Sequence, residues 1–212
     1  IEGVEKARAP FHMLASVVTF GAIFISPALI GACTASGITL VLLDRNGRFL
    51  ARIEGPVSGN VLLRRAQYGM ADKPLDLVRS LVIGKVANQR AVLMRALRDY
   101  GTEYTPETRE RVEQTTHCMA RIIQQAEFGD ETPDTLRGLE GEAASLYFGQ
   151  FNVLIRVTEP EMRFRGRSRR PPLDAVNALL SFLYTLLTHE CRSALESVGL
   201  DPAVGFLHRD RP

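Results

Sequence analysis

The residues best suited to chemistry are Glu140, in Gly138-Leu139-Glu140-Gly141-Glu142-Ala143-Ala144-Ser145-Leu146-Tyr147-Phe148, and His208, which closes Gly205-Phe206-Leu207-His208. A carboxylate and an imidazole are oxygen and nitrogen donors suited to a divalent cation. Helical spacing sets Glu140, Ala143 or Ala144, Tyr147 and Phe151 along one mostly small or apolar face and turns Glu142 toward water. A carboxylate on an inward face needs a partner, which is either a basic side chain or a metal. His208 follows the turn Asp201-Pro202-Ala203-Val204 and is either a satisfied structural histidine or a ligand. Sixty-eight residues separate it from Glu140, and spacing alone does not bring the two together.

Three further groups carry weaker signals. Arg163-Phe164-Arg165-Gly166-Arg167-Ser168-Arg169-Arg170 puts five arginines in eight residues, which makes either a phosphate-binding loop or a solvated basic one. Asn177, Ser181, Tyr184 and Thr188 recur at steps of four, three and four, so a helix aligns them on one seam. That seam is internal hydrogen bonding, the polar wall of a site, or both. His117-Cys118 and His189-Glu190-Cys191 read as structural, because adjacent residues leave a helix on different sides. Gly-rich phosphate loops, HExxH and Ser-His-Asp signatures do not occur, and the enzyme classes built on them lose weight.

The elements that must position these residues change character near residue 55. Before it, 14–20 and 38–43 are β-branched or apolar runs of strand length, and 48–53 alternates as a strand with one wet face does. A short helix is expected from Ser26-Pro27 to Ser36, stopped by Gly37, and Asp44-Arg45-Asn46-Gly47 supplies a hairpin turn. After Gly55-Pro56-Val57-Ser58-Gly59 the period becomes helical, over 60–72, 74–100, 106–128, 133–156 and 173–198. The last of these is apolar nearly all round, the pattern of a central helix. The expected fold is therefore α+β, with a small N-terminal β domain over 1–55 and a larger helical domain over 56–212.

Composition sets looser bounds. A chain of 212 residues buries a full core, and a net charge of +2 by itself selects no partner. Of the 26 basic residues, 23 are arginine and only Lys6, Lys73 and Lys85 are lysine, which suits phosphate contacts but also follows from genome composition. Cys33, Cys118 and Cys191 are scattered and odd in number, as in a reduced cytosolic protein that uses each as a small core residue. No run of eighteen apolar residues occurs, so no membrane span is expected. The opening Ile1-Glu2-Gly3-Val4 lacks an initiating Met and reads like the middle of a strand, so more chain is expected upstream.

Seven segments in order bear a resemblance over essentially the whole chain. They are Phe24-Ile25-Ser26-Pro27-Ala28-Leu29, Leu43-Asp44-Arg45-Asn46-Gly47-Arg48, Glu54-Gly55-Pro56-Val57-Ser58-Gly59-Asn60, Gly84-Lys85-Val86-Ala87-Asn88-Gln89-Arg90, Gly138-Leu139-Glu140-Gly141, Arg170-Pro171-Pro172-Leu173-Asp174 with Asn177, and Gly205-Phe206-Leu207-His208. The chain resembles the CRISPR-associated adaptation integrase, the first of the Cas proteins. That resemblance implies a metal-dependent DNA endonuclease and integrase, which inserts captured foreign DNA into a CRISPR array by attack of a 3′-OH on a phosphodiester.

The resemblance further implies that Glu140 and His208 are ligands of Mg²⁺ or Mn²⁺, with a third, acidic ligand a dozen or so positions beyond His208 and so past Pro212. Asp210 does not match that position, and a chain truly lacking the third ligand is expected to lose tight metal binding and activity. Arg163, Arg165, Arg167, Arg169, Arg170 and Arg48 would hold double-stranded DNA by its phosphates, and Asn177 and Tyr184 would support the metal site. The partners implied are a homodimer and a dimer of the second Cas protein bridging two such dimers, in a prokaryotic cytoplasm. A free-standing metal-dependent endonuclease acting on branched or single-stranded DNA, and a DNA-binding scaffold without catalysis, are the competing readings.

Overall fold

The computed structural model describes residues 7–56 and 60–208. The expectation for Ile1 to Val4, part of the 54–60 motif and Asp210 fall outside them. The chain forms two compact units, one of 1–67 with 182–203 and one of 68–181 with 204–212. The sheet ends at Ile53, and the compact units divide the chain after Gln67 and after Ser181, each inside a helix, and again after Ala203.

In the first unit, β1 (Ser16–Phe20) runs parallel to β2 (Thr39–Leu43), and β3 (Phe49–Ile53) returns antiparallel to β2. The parallel pair needs a crossover, which is α1 (Pro27–Ala35). Ser26 caps α1 through its side-chain oxygen, Pro27 opens it, and Gly37 leaves it at φ +69°. The hairpin turn is held by Asp44, whose Oδ1 accepts from the N–H groups of Asn46 and Arg48, both at 2.8 Å. Gly47 completes it at φ +77°. Cys33, Ile38 and Leu40 form the small core between α1 and the sheet.

The C-terminal part of α6 (Ala175–Ser197) belongs to this unit and meets the sheet through polar and aromatic contacts. Arg52 bonds Glu54 at 2.9 Å and Glu196 at 2.6 Å, Ser16 donates to Glu190, and His189 stacks on Phe49. Burial, with Arg52 and Arg192 nearby, holds the His189 imidazole below its ordinary pKa against the pull of Glu190. Gln67, on α2 (Val61–Ala71), pairs with the backbone of Asp201 through both ends of its amide.

The second unit is built on α3 (Leu75–Tyr100), α4 (Pro106–Phe128) and α5 (Pro133–Gly149). Val78, Val82 and Val86, spaced by four on α3, meet Val112, Met119, Ile122 and Ala126 of α4 and Leu136, Leu139 and Ala143 of α5. Each large side chain fully buried there contributes roughly 1.5–3 kcal/mol. Thr105 and Thr132 cap α4 and α5 with their hydroxyls, each followed by proline in the first turn.

Three expectations are corrected. The helix expected over 133–156 ends at Gly149, because Phe148 and Phe151 are gathered with Tyr147 and Phe164 into an aromatic cluster that a continuing helix would disperse. The helix expected to be central, α6, buries only Val176 and Asn177, whereas Leu183 and Leu187 are 48% and 58% exposed. Of the three cysteines expected in the core, Cys33 is buried, Cys118 half-buried and Cys191 exposed.

Candidate metal centre

Glu140 lies on α5 at the margin of the buried stripe made by Leu136, Leu139 and Ala143. That margin leaves its side chain 16% exposed, while Glu142 faces solvent as its spacing implied. Across the seam with α3, Lys85 occupies the matching margin between Val82 and Val86, and its Nζ donates to Glu140 Oε1. The partner that an inward carboxylate demands is therefore a lysine. In the sequence Lys85 stands within the 84–90 motif with no role of its own. Its signal was slight: a lone lysine beside Gly84 in a chain whose basic residues are nearly all arginine.

His208 is exposed, at the end of a segment anchored to the same helix. Phe206 and Leu207 pack against the core of the second unit. Arg137, one turn before Glu140, donates from Nε and Nη2 to the carbonyl of Leu207 at 2.9 and 2.6 Å, while its Nη1 meets Asp134. This clamp ties the backbone next to His208 to a side chain one turn before Glu140 on α5, which the spacing of 68 positions did not reveal. Arg137 is the second residue that sequence reasoning missed. Its only trace was its position three before Glu140, the spacing of neighbours on a helix.

Glu140 and His208 offer a divalent ion one oxygen and one nitrogen donor. A carboxylate and an imidazole are donor types that such an ion takes, and the ammonium of Lys85 already stands as a cation at Glu140 Oε1. Among the described residues, no group of three or more histidine, cysteine or acidic side chains is arranged to hold a metal.

The arginine loop is built separately. Phe164 is buried, and its backbone pairs with both ends of the Asn152 amide, accepting at 2.8 Å and donating at 3.0 Å. Asn177, fully buried, donates from Nδ2 to Gly166 O and to Asp174 Oδ2, each at 2.8 Å. Its Oδ1 accepts from Arg167 Nη1 at 3.0 Å and from the N–H of Ser168 at 2.9 Å. Burial raises the Asp174 carboxyl, but hydrogen bonds from Asn177 and from the N–H of Arg165, with the Arg165 charge, bring it below the ordinary aspartate value.

The five arginines thus divide. Arg167 is tied inward to Asn177 and to Ser168 O, while Arg163, Arg165, Arg169 and Arg170 are exposed. The polar atoms of Asn177 are committed to this loop. Arg48 is exposed on the hairpin turn of the first unit, and Tyr184 is exposed on the part of α6 that belongs to that unit.

The model of the family described as CRISPR associated protein Cas1 matches residues 1–212. CRISPR-associated endonuclease Cas1 2 of Rhodospirillum rubrum is 63% identical over 212 residues, covering all of this chain and 62% of the relative. CRISPR-associated endonuclease Cas1 1 of Chlorobaculum tepidum is 51% identical over 215 residues, again covering all of this chain and 62% of the relative. The solved Cas6-RT-Cas1–Cas2 complex contains a chain similar at a TM-score of 0.70 and 25% identity, over 94% of this chain and 21% of that one. The chain spans 62% of the length of the two curated relatives. On its sequence and its fold together, it belongs to the Cas1 family of CRISPR-associated proteins.

Proposed function

We propose that the chain is part of a metal-dependent DNA endonuclease and integrase of CRISPR adaptation, which inserts captured DNA into a CRISPR array. Family membership supports the class of activity, since the Rhodospirillum rubrum relative is named an endonuclease. The observation that supports the site assignment is the clamp of Arg137, one turn before Glu140 on α5, on the carbonyl of Leu207, the neighbour of His208.

Glu140 and His208 would hold Mg²⁺ or Mn²⁺, joined by an acidic ligand from outside residues 1–212. When bound, the ion supplies Lewis acidity at a phosphodiester and charge neutralisation at the leaving oxygen. The chain's own residues bind and orient the DNA. The exposed Arg163, Arg165, Arg169 and Arg170, with Arg48 on the other unit, contact phosphates without reading sequence, so binding falls steeply with salt. Arg167 shapes the loop that presents four of them. In integration a 3′-O–P bond forms as the P–O3′ bond of the array strand breaks, and in cleavage water takes the place of the 3′-OH.

The partners proposed are double-stranded DNA, a second copy of the chain, and a dimer of the second Cas protein bridging two such dimers. The solved complex that contains both Cas1 and Cas2 supports the last. A prokaryotic cytoplasm is the proposed location. Among the described residues, no helix is long and apolar enough to cross a membrane.

The test incubates full-length protein, with and without its Cas partner, with a short duplex and a supercoiled plasmid carrying the array in Mn²⁺. Joined products that disappear in Glu140→Ala and in His208→Ala support the assignment. Joined products that survive both substitutions overturn it. Cleavage without joining, even with the partner present, favours a free-standing endonuclease.

A further inference from the structure

We propose that Lys85 is an exchangeable cation, which neutralises Glu140 until a divalent ion takes the carboxylate and then turns its ammonium to a DNA phosphate. The proposal rests on the reading of Glu140 as a metal ligand. It starts from an asymmetry within the pair: the Lys85 side chain is 48% exposed and that of Glu140 16%. The carboxylate is fixed at the helix seam, while the ammonium approaches it from the solvent side.

Glu140 is the only acidic partner of Lys85 among the described residues. Other cations of the unit are held quite differently, since Arg137 engages Leu207 and Asp134 together and Arg167 engages Asn177 and Ser168 together. A guanidinium fork locked by several bonds is not readily released. A lysine ammonium on a four-carbon stem, half in water and bonded once to a carboxylate, exchanges partners at little cost.

The surroundings leave room for the exchange. Gly84 and Gly141 adjoin Lys85 and Glu140 in sequence, and a methyl group added at either would meet nothing within 4 Å. Both positions lie inside helices, where glycine is unfavourable relative to alanine. Packing does not demand them, so the backbone next in sequence to each member of the pair is left bare. A divalent ion at Glu140 would repel the ammonium, and the nearest available anion would then be the DNA that the ion also binds.

Two measurements on the full-length protein test this. Mn²⁺ affinity is measured by titration calorimetry for the wild type, Lys85→Met, Lys85→Arg and Glu140→Gln. Binding of a 3′-phosphorylated duplex is followed by fluorescence anisotropy over a range of KCl, with Mn²⁺ and with EDTA.

Lys85→Met is expected to bind Mn²⁺ about fivefold more tightly, as loss of a half-exposed competing charge implies, with Lys85→Arg close to wild type. Lys85→Met should also lower the salt slope of DNA binding by about one in Mn²⁺ and leave it unchanged in EDTA. Mn²⁺ affinity equal or weaker in Lys85→Met, while Glu140→Gln loses it, overturns the exchange and leaves the metal site standing. A salt slope that changes equally with and without Mn²⁺ overturns the hand-over to phosphate. Retention of Mn²⁺ affinity by Glu140→Gln overturns the metal-site reading itself.

Discussion

Two polar centres of the second unit are built on opposite principles. Both polar atoms of the fully buried Asn177 amide are paired twice over, with Gly166, Arg167, Ser168 and Asp174. At the seam of α3 and α5, Lys85 and Glu140 meet through a single described bond, with the cation half in water. A buried network with all its partners fixes a shape, and dismantling it exposes several unsatisfied groups at once. A half-exposed ion pair fixes little and is readily replaced. The first is built to hold a loop and the second to exchange a partner.

The largest effect expected from this contrast is on stability. Asn177→Leu removes a fully buried amide and leaves the Gly166 carbonyl and the Ser168 N–H without the partner it supplies, at a cost of about 3 kcal/mol. Calorimetry should show the melting temperature lowered by roughly 6–10 °C, with Mn²⁺ affinity unchanged. A loss below about 1 kcal/mol would mean that the network is not the fixed structure described here.

Arg137→Met should behave in the opposite sense. It frees Leu207 and with it His208, so Mn²⁺ affinity is expected to fall about tenfold, as for other groups that orient a ligand. The melting temperature should fall by less than about 3 °C. A large thermal loss with unchanged affinity would place Arg137 with Asn177, among residues that only hold shape.

These two centres also separate what the sequence disclosed from what it did not. Ser26, Pro27 and Gly37 mark the ends of α1, and Asp44 to Gly47 mark the hairpin, because caps and turns are written in adjacent residues. The end of α5 was not legible, since it depends on Phe164, which joins Phe148 and Phe151 from beyond the helix. The exposure of α6 was equally hidden, because an apolar sequence reports what a helix is able to bury and not what surrounds it. At the site, Glu140 and His208 stood out by type and motif, but their neighbours did not. Lys85 and Arg137 act across 55 and 70 positions, distances that only the folded chain reveals.

The smallest effect concerns pH at the asparagine network. Asp174 has its carboxyl held below the ordinary aspartate value, so the folded state binds a proton less readily than the unfolded chain. Its contribution to stability is present in full above that ordinary value and is lost as pH falls through the lower, folded one. Thermal midpoints compared at pH 5 and pH 3 should show a decline in the wild type that Asp174→Asn reduces. An equal decline in both would remove Asp174 from the network's energetics.

The central claim is that Glu140 and His208 share one divalent ion, and the histidines give the most direct reading of it. The chain has four, His12, His117, His189 and His208. With the imidazoles carbon-13 labelled in full-length protein, substoichiometric Mn²⁺ should broaden the NMR signals of His208 selectively, and Glu140→Gln should abolish that broadening. His208 signals that stay sharp, or broadening that survives Glu140→Gln unchanged, would contradict a shared site.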